Sequence, residues 1–204
     1  AIDLPHRVEC ELPTSLDAFP EDVALIVGME LAQIAILDEV FGVPVRQARL
    51  SLGYSIGELT ALVVGGTYRL EELLPVPLSL APDCAELAAD TNMGVLFTRG
   101  PAFKREDVER MCRDICAEGN GLIGPSAYLS PNTALLLGQG KTLDRVEAIM
   151  RDYIPIKVSL RRNPNKWPPL HSPLVWRKHV PDRTALMLHE RPGGDRAPTP
   201  PIMS

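Results

Sequence analysis

The sequence predicts a mixed α/β protein in which a parallel-sheet core carries a smaller inserted subdomain. One observation behind this prediction is a strand–turn–helix junction at residues 50–63, where a serine stands between two glycines. Another is the order strand, helix, strand, strand, helix, strand over residues 93–160. Short α/β loops and right-handed crossovers favour a parallel core around such an insertion.

The composition is that of a globular protein with no strong attraction to polyanions. The chain has 204 residues, of which 45% are hydrophobic, and this length allows one core with an inserted subdomain. A net charge of −5 argues against nucleic acid or an anionic membrane as the main partner. The sequence contains neither an apolar run of the roughly 18 residues that span a bilayer nor a signal-peptide pattern at its start.

The four cysteines indicate a reducing compartment, so we expect a cytoplasmic protein. Cys112 and Cys116 stand four residues apart on a predicted helix, but no His or Cys partner lies at ligand spacing nearby. We therefore expect helix thiols that bind no metal.

The N-terminal third predicts the elements that lead to the serine. Residues 1–20 show no periodicity and are expected to be irregular. A buried helix is predicted from Asp22 to about Gly42, followed by a strand at 48–52 and a helix at 57–66. A short helix is expected at 70–74. The prolines in the segment 75–82 argue against a regular helix there.

The middle of the chain has the clearest periodicity, and its element order is that of a ferredoxin-like unit. The predicted strands are 93–98, 122–129, 133–137 and 154–160, and the predicted helices are 104–118 and 142–151. The expected division is a core of residues 1–92 and 161–204 with a small subdomain at 93–160.

The pattern Gly53-Tyr54-Ser55-Ile56-Gly57 is that of a nucleophile elbow. Its glycines lack a Cβ atom, so strand and helix can approach closely while the serine adopts a strained backbone conformation. The hydroxyl of Ser55 would then point out of the turn, and the N–H of Ile56 would face an oxyanion. The alternative is a glycine-rich connection whose serine only caps the helix.

Three blocks resemble the acyl-CoA:acyl-carrier-protein transacylases of fatty-acid and polyketide synthesis, the malonyl-transferase-like acyltransferases. The elbow continues with Glu58 and a small-residue helix, as in the family's G-H-S-x-G-E block, although Tyr54 replaces the usual His. Ser130-Pro131 precedes an apolar strand, with Thr133 where the family has Gln. Residues 169–175 resemble the family's F-H-S-P-L-M segment, which places His171 as the catalytic histidine.

This resemblance covers roughly residues 23–204 and implies an α/β-hydrolase-like core with a ferredoxin-like insertion. It also implies a Ser55–His171 dyad that forms an acyl-serine, with no bound cofactor. The substrates would be acyl-CoA and a phosphopantetheine thioester on an acyl carrier protein. The family's carboxylate-binding arginine falls on Leu80 here, so we expect a neutral acyl group rather than malonyl, in a pocket formed by Tyr54, Leu80 and Thr133.

Two other functions remain open at this stage. The family's N-terminal G-Q-G-S-Q block is not found, which favours a catalytically impaired module for carrier-protein docking or interaction. A serine esterase or thioesterase with an α/β-hydrolase fold would need an acid after a strand between serine and histidine. Asp144 and Asp152 fall on the predicted insertion instead.

Overall fold

The structure is a computed structural model that describes residues 3–203, and these residues form two compact units. The first unit extends to Pro82 and resumes at Pro181, and the second comprises Asp83–Val180. Both boundaries fall within helices. The predicted boundaries at 92/93 and 160/161 stay a prediction.

Helices and strands alternate irregularly along the chain. The α-helices are α1 (Leu4–Glu9), α2 (Phe19–Glu39), α3 (Gly57–Val64), α4 (Leu70–Leu73), α5 (Pro75–Ala88), α6 (Arg105–Ala117), α7 (Thr142–Tyr153) and α8 (Val180–His189), with 3-10 turns at Val45–Gln47 and Pro173–Lys178. The strands are β1 (Ser51–Leu52), β2 (Thr91–Phe97), β3 (Ile123–Ser130), β4 (Thr133–Gln139), β5 (Ser159–Asn163) and β6 (Ile202–Met203).

A short parallel sheet in the first unit holds the strand that leads into the serine turn. β1 pairs in parallel with β6, so that Ser51 lies opposite Ile202. The N–H of Gly53 donates to the carbonyl of Met203 at 3.1 Å. With the antiparallel sheet of the second unit, this pairing confirms the predicted mixed α/β class.

The second unit is a four-stranded antiparallel sheet in the order β3-β4-β2-β5. Helices α6 and α7 pack against one face, because their apolar residues recur at helical spacing and face the sheet. Leu96 and Leu136 from the sheet, Met111 from α6 and Val146 from α7 are fully buried in this core.

The prediction that residues 1–20 are irregular was wrong, because α1 lies within them. The carboxylate of Asp3 accepts a hydrogen bond from the N–H of His6 at 3.0 Å and caps the helix. Pro5 stands in the first turn, where a missing N–H costs nothing.

The prediction against a helix at 75–82 was also wrong, since α5 covers this segment. Pro75 and Pro77 occupy the first turn of α5, where the backbone N–H groups need no intrahelical acceptor. Only Pro82 lies inside the helix, where it removes one backbone hydrogen bond.

The last strand of the second unit begins five residues later than the predicted 154–160. Ile154 and Val158 are buried in the helix–sheet core instead of forming the ladder. The strand consists mainly of polar, exposed residues, as befits the edge of a sheet, and such residues lack the alternation that identifies a strand in sequence.

Helix α2 is buried only in its N-terminal half, although the sequence predicted a buried helix throughout. Val23 and Val27 are 3% and 1% exposed, whereas Ile36 and Leu37 near its C-terminal end are 48% and 43% exposed. Within residues 3–203, no helix has both the length and the apolar character needed to cross a membrane.

Arg7 joins α1 to the start of α2 through a buried ion pair. Its side chain is 4% exposed, donates to Glu21 at 2.9 Å, and also contacts Asp22, which is 3% exposed. A third bond goes to the carbonyl of Pro13 at 3.2 Å. Burial raises the pKa of Asp22, and the charge of Arg7 opposes this rise.

We predict that Arg7→Ala lowers the free energy of unfolding by about 3 kcal/mol at pH 7, because a buried carboxylate loses its partner. The loss of unfolding free energy relative to wild type should become smaller as the pH falls toward about 4. Asp22 has a raised pKa, so its carboxylate is protonated in this range and no longer needs a cationic partner. Urea denaturation at several pH values measures both effects. Arg46→Ala, at an exposed position, is the control and should change little. Equal losses in the two variants would contradict the prediction.

Candidate active site

Ser55 occupies the turn between β1 and α3 with a left-handed backbone. Its φ angle is 56°, a region that residues other than glycine rarely adopt. Such conformations cost about 1–3 kcal/mol and persist only where the surrounding structure imposes them. The strain is what a nucleophile elbow requires at its serine.

Successive tight hydrogen bonds close the turn. The N–H of Gly57 donates to the carbonyl of Tyr54, and the N–H of Glu58 donates to that of Ser55, both at 3.0 Å. The N–H of Ile56 donates to no backbone acceptor within residues 3–203. It lies at the positive end of α3, where an oxyanion would be stabilised.

The two glycines of the motif differ in their structural roles. A Cβ atom on Gly53 would lie 2.7 Å from the Cα of Glu58, a backbone atom that cannot move aside. A Cβ on Gly57 would meet only the carboxylate of Glu30, at an ordinary 3.7 Å. We expected both glycines to allow the strand and the helix to approach closely, and this holds for Gly53 but not for Gly57.

A contact between helices α2 and α3 fixes the direction of the helix that follows the serine. The hydroxyl of Thr60, which is 3% exposed, donates a short hydrogen bond to the carboxylate of Glu30. Sequence reasoning missed this pair. The sequence feature that could have indicated it is Glu30, a single acidic residue within the apolar run of α2.

The two residues expected to line the substrate pocket in the first unit lie in different environments. Tyr54 is 66% exposed beside the serine, whereas Leu80 in α5 is 3% exposed. Around Leu80, Val76 and Ala81 are also buried and apolar. Arg69, the nearest preceding basic residue in the sequence, pairs with Glu71.

His171 lies in the second unit, next to a serine that makes two hydrogen bonds to the backbone of the same segment. The hydroxyl of Ser172 donates to the carbonyl of Pro169 at 2.8 Å and accepts from the N–H of Leu174 at 3.3 Å. Ser172 and Leu174 are buried, while His171 is exposed. The predicted contact between Ser55 and His171 joins residues of the two units and stays a prediction.

Thr133, the third expected pocket residue, begins β4 in the second unit. It pairs with Phe97 of β2 across the sheet. Both residues line a cleft of about 470 Å³ together with Val95 and Arg161.

Cys112 and Cys116 of α6 are free thiols that contact the interior of the second unit. Cys112 is 3% exposed in the helix–sheet core, and burial raises the pKa of its thiol to about 12. Cys116 donates to the carbonyl of Ile123 at 3.2 Å and accepts from its N–H at 3.3 Å. Among residues 3–203, no group of three or more His, Cys, Asp or Glu residues is arranged to hold a metal ion.

We predict that Gly53→Ala lowers the free energy of unfolding by about 1–3 kcal/mol, because its Cβ would collide with the backbone of Glu58. Gly57→Ala should cause no loss, since it meets only an ordinary contact at a helical position. Chemical denaturation of both variants tests this difference. Similar destabilisation by the two substitutions would refute the distinct roles of the glycines.

Comparison with known proteins gives similarities only at the level of structure. The sequence matches no protein-family model and no curated protein sequence. The structure matches FabD from Acinetobacter baumannii with a TM-score of 0.78 and 20% identity, over 99% of this chain and 60% of that one. It matches the malonyl CoA-acyl carrier protein transacylase FabD from Coxiella burnetii with a TM-score of 0.68 and 19% identity, over 92% and 55%.

A third similar structure is PlMCAT, a malonyl-transacylase in complex with the type II polyketide-synthase acyl carrier protein AntF. Its TM-score is 0.69 at 19% identity, over 92% of this chain and 56% of that chain. This chain thus spans less than two thirds of the length of each of these neighbours. The structures confirm the family resemblance predicted from the three sequence blocks, and the chain has the fold of the malonyl-CoA:acyl-carrier-protein transacylases over the part that it spans.

Proposed function

We propose that this chain is the acyl-transferring part of a transacylase, which moves an acyl group from a CoA or carrier-protein thioester through an acyl-serine. The observation that supports this most directly is the left-handed backbone of Ser55 at the end of β1. A serine that only caps a helix has no need of this conformation, since a cap residue is normally extended.

In the proposed reaction, the Ser55 oxygen attacks the thioester carbonyl carbon while His171 takes the hydroxyl proton. The resulting oxyanion would face the N–H of Ile56. The carbon–sulfur bond then breaks, and His171 returns the proton to the departing thiol. The pantetheine thiol of the acceptor attacks the acyl-serine in the same way and restores the free hydroxyl.

The proposal extends to architecture and partner. It assigns an α/β-hydrolase-like core and a ferredoxin-like insertion at residues 93–160, with the acceptor thiol on an acyl carrier protein. A structural neighbour that is itself a complex of a transacylase with a carrier protein supports this partner. We propose that the reaction takes part in fatty-acid or polyketide synthesis in the cytoplasm.

We propose a neutral acyl group as cargo, although neighbouring structures are malonyl transferases. Leu80 and its neighbours Val76 and Ala81 are buried and uncharged, and Arg69 is already paired with Glu71. A carboxylate beside such a wall would lose water without gaining a cation, whereas an alkyl chain would gain about 0.8 kcal/mol per buried methylene.

Intact-protein mass spectrometry after incubation with acetyl-CoA, a longer acyl-CoA or malonyl-CoA tests the function. We expect an acyl adduct that forms faster with the neutral donors, is absent from Ser55→Ala, and forms about 100-fold more slowly in His171→Gln. Ser126→Ala, on β3, serves as the matched control and should be labelled normally.

Each contrary outcome removes a different part of the proposal. A malonyl adduct that forms fastest would refute the neutral cargo. A label that survives Ser55→Ala would refute the nucleophile. If no donor forms an adduct, the chain would instead be the catalytically impaired module for carrier-protein docking.

A further inference from the structure

The edge strand β5 directs two consecutive arginines to opposite faces of the second unit's sheet, as the alternation of side chains requires. Arg162 lies opposite Gly94 of β2 and contacts Asp144 and Glu147 of helix α7. Arg161 lies opposite Val95, on the face that α6 and α7 do not cover. Within residues 3–203, Arg161 has no carboxylate partner.

Arg161 stands at a cleft whose described lining contains no acidic residue. The cleft has a volume of about 470 Å³, with Val95 and Phe97 as an apolar wall and Thr133 and Asn163 as polar neighbours. Arg162 also borders it, but its guanidinium is paired with Asp144 and Glu147. A guanidinium in this setting presents a fork of N–H donors that no side chain of the cleft neutralises.

Several other basic side chains of the same unit, by contrast, are paired with acidic neighbours. Arg145 donates to Glu118 at 2.8 Å, and Lys178 contacts Glu86 at 2.6 Å. Another cleft, of about 560 Å³, contains Arg145 together with both Glu118 and Asp144. The Arg161 cleft therefore differs from the Arg145 cleft, because its arginine stands beside an apolar wall and has no acidic residue near it in the lining.

We propose that this cleft binds the anionic part of the thioester substrate, with Arg161 as the residue that recognises the anion. The inference rests on the proposed function, which supplies a CoA or phosphopantetheine thioester as the ligand. Arg161 would bind a phosphate of that ligand through paired N–H donors, since the proposed acyl group is neutral and carries no carboxylate. Phe97 and Val95 would pack against the apolar portions of the same ligand.

Isothermal titration calorimetry on a Ser55→Ala background, where no thioester is consumed, tests this site. CoA carries phosphates without an acyl carboxylate, malonyl-pantetheine carries only the carboxylate, and acetyl-pantetheine carries neither. Arg161→Gln should raise the Kd of CoA about tenfold and leave those of malonyl-pantetheine and acetyl-pantetheine unchanged. Arg161→Lys should restore part of the affinity, because it keeps the charge but not the fork.

The matched control is Arg113→Gln, which removes the same charge from an exposed position on α6, on the other side of the sheet. A loss of affinity confined to CoA is the expected result. A loss confined to malonyl-pantetheine would show that Arg161 recognises a carboxylate, and would refute both the phosphate site and the neutral cargo. Equal affinities of Arg161→Gln and Arg113→Gln for CoA would overturn the inference, as would no measurable binding of CoA to the parent protein.

These outcomes separate the inference from the proposed function. Acylation of Ser55 with anion binding that is insensitive to Arg161 would refute the site and keep the transferase. Arg161-dependent binding without acylation would keep the site and refute the transfer reaction.

Discussion

The structure around the candidate nucleophile depends on one backbone constraint, the left-handed conformation of Ser55. A conformation that costs about 1–3 kcal/mol must be imposed by its surroundings. The backbone of Glu58 lies so close to Gly53 that no side chain fits between them, so the tight turn is possible only because Gly53 has no Cβ atom. The hydrogen bond between Thr60 and Glu30 then holds α3 against α2.

The C-terminal segment stabilises the same turn from both ends. Its strand β6 pairs with β1 immediately before the serine. At the far end of α3, the N–H of Thr199 donates to the carbonyl of Gly65 at 2.9 Å, and Pro198 packs where a Cβ of Gly65 would stand. Residues that are distant in sequence thus brace the strand and the helix on either side of Ser55.

The features that sequence alone could predict are those encoded by local patterns. The turn at Ser55 follows from two glycines at fixed spacing, and helices α6 and α7 follow from apolar residues at helical spacing. What sequence missed depends on position or on distant contacts. Pro75 is harmless because it opens a helix, β5 is polar because it is a sheet edge, and Glu30 acts through a residue on another helix.

The same distinction applies to the candidate anion site. The sequence placed Thr133 in a substrate pocket through its position in a family block, and the structure adds an arginine from another strand to its surroundings. Arg161 and Arg162 are indistinguishable in sequence. Both border the cleft, and only the register of β5 against β2 shows that Arg162 meets acidic residues of a helix while Arg161 lies on the open face of the sheet.

The measurement that tests the central claim most directly is the reaction of the folded protein with a fluorophosphonate, followed by peptide mapping. This reagent phosphonylates an activated serine hydroxyl and releases fluoride, so it tests the nucleophile without a choice of acyl donor. The strained backbone of Ser55 predicts one label per chain, located on Ser55 and lost when the protein is unfolded in urea. A folded protein that is not labelled at Ser55, or is labelled there no faster than the unfolded chain, would contradict the account.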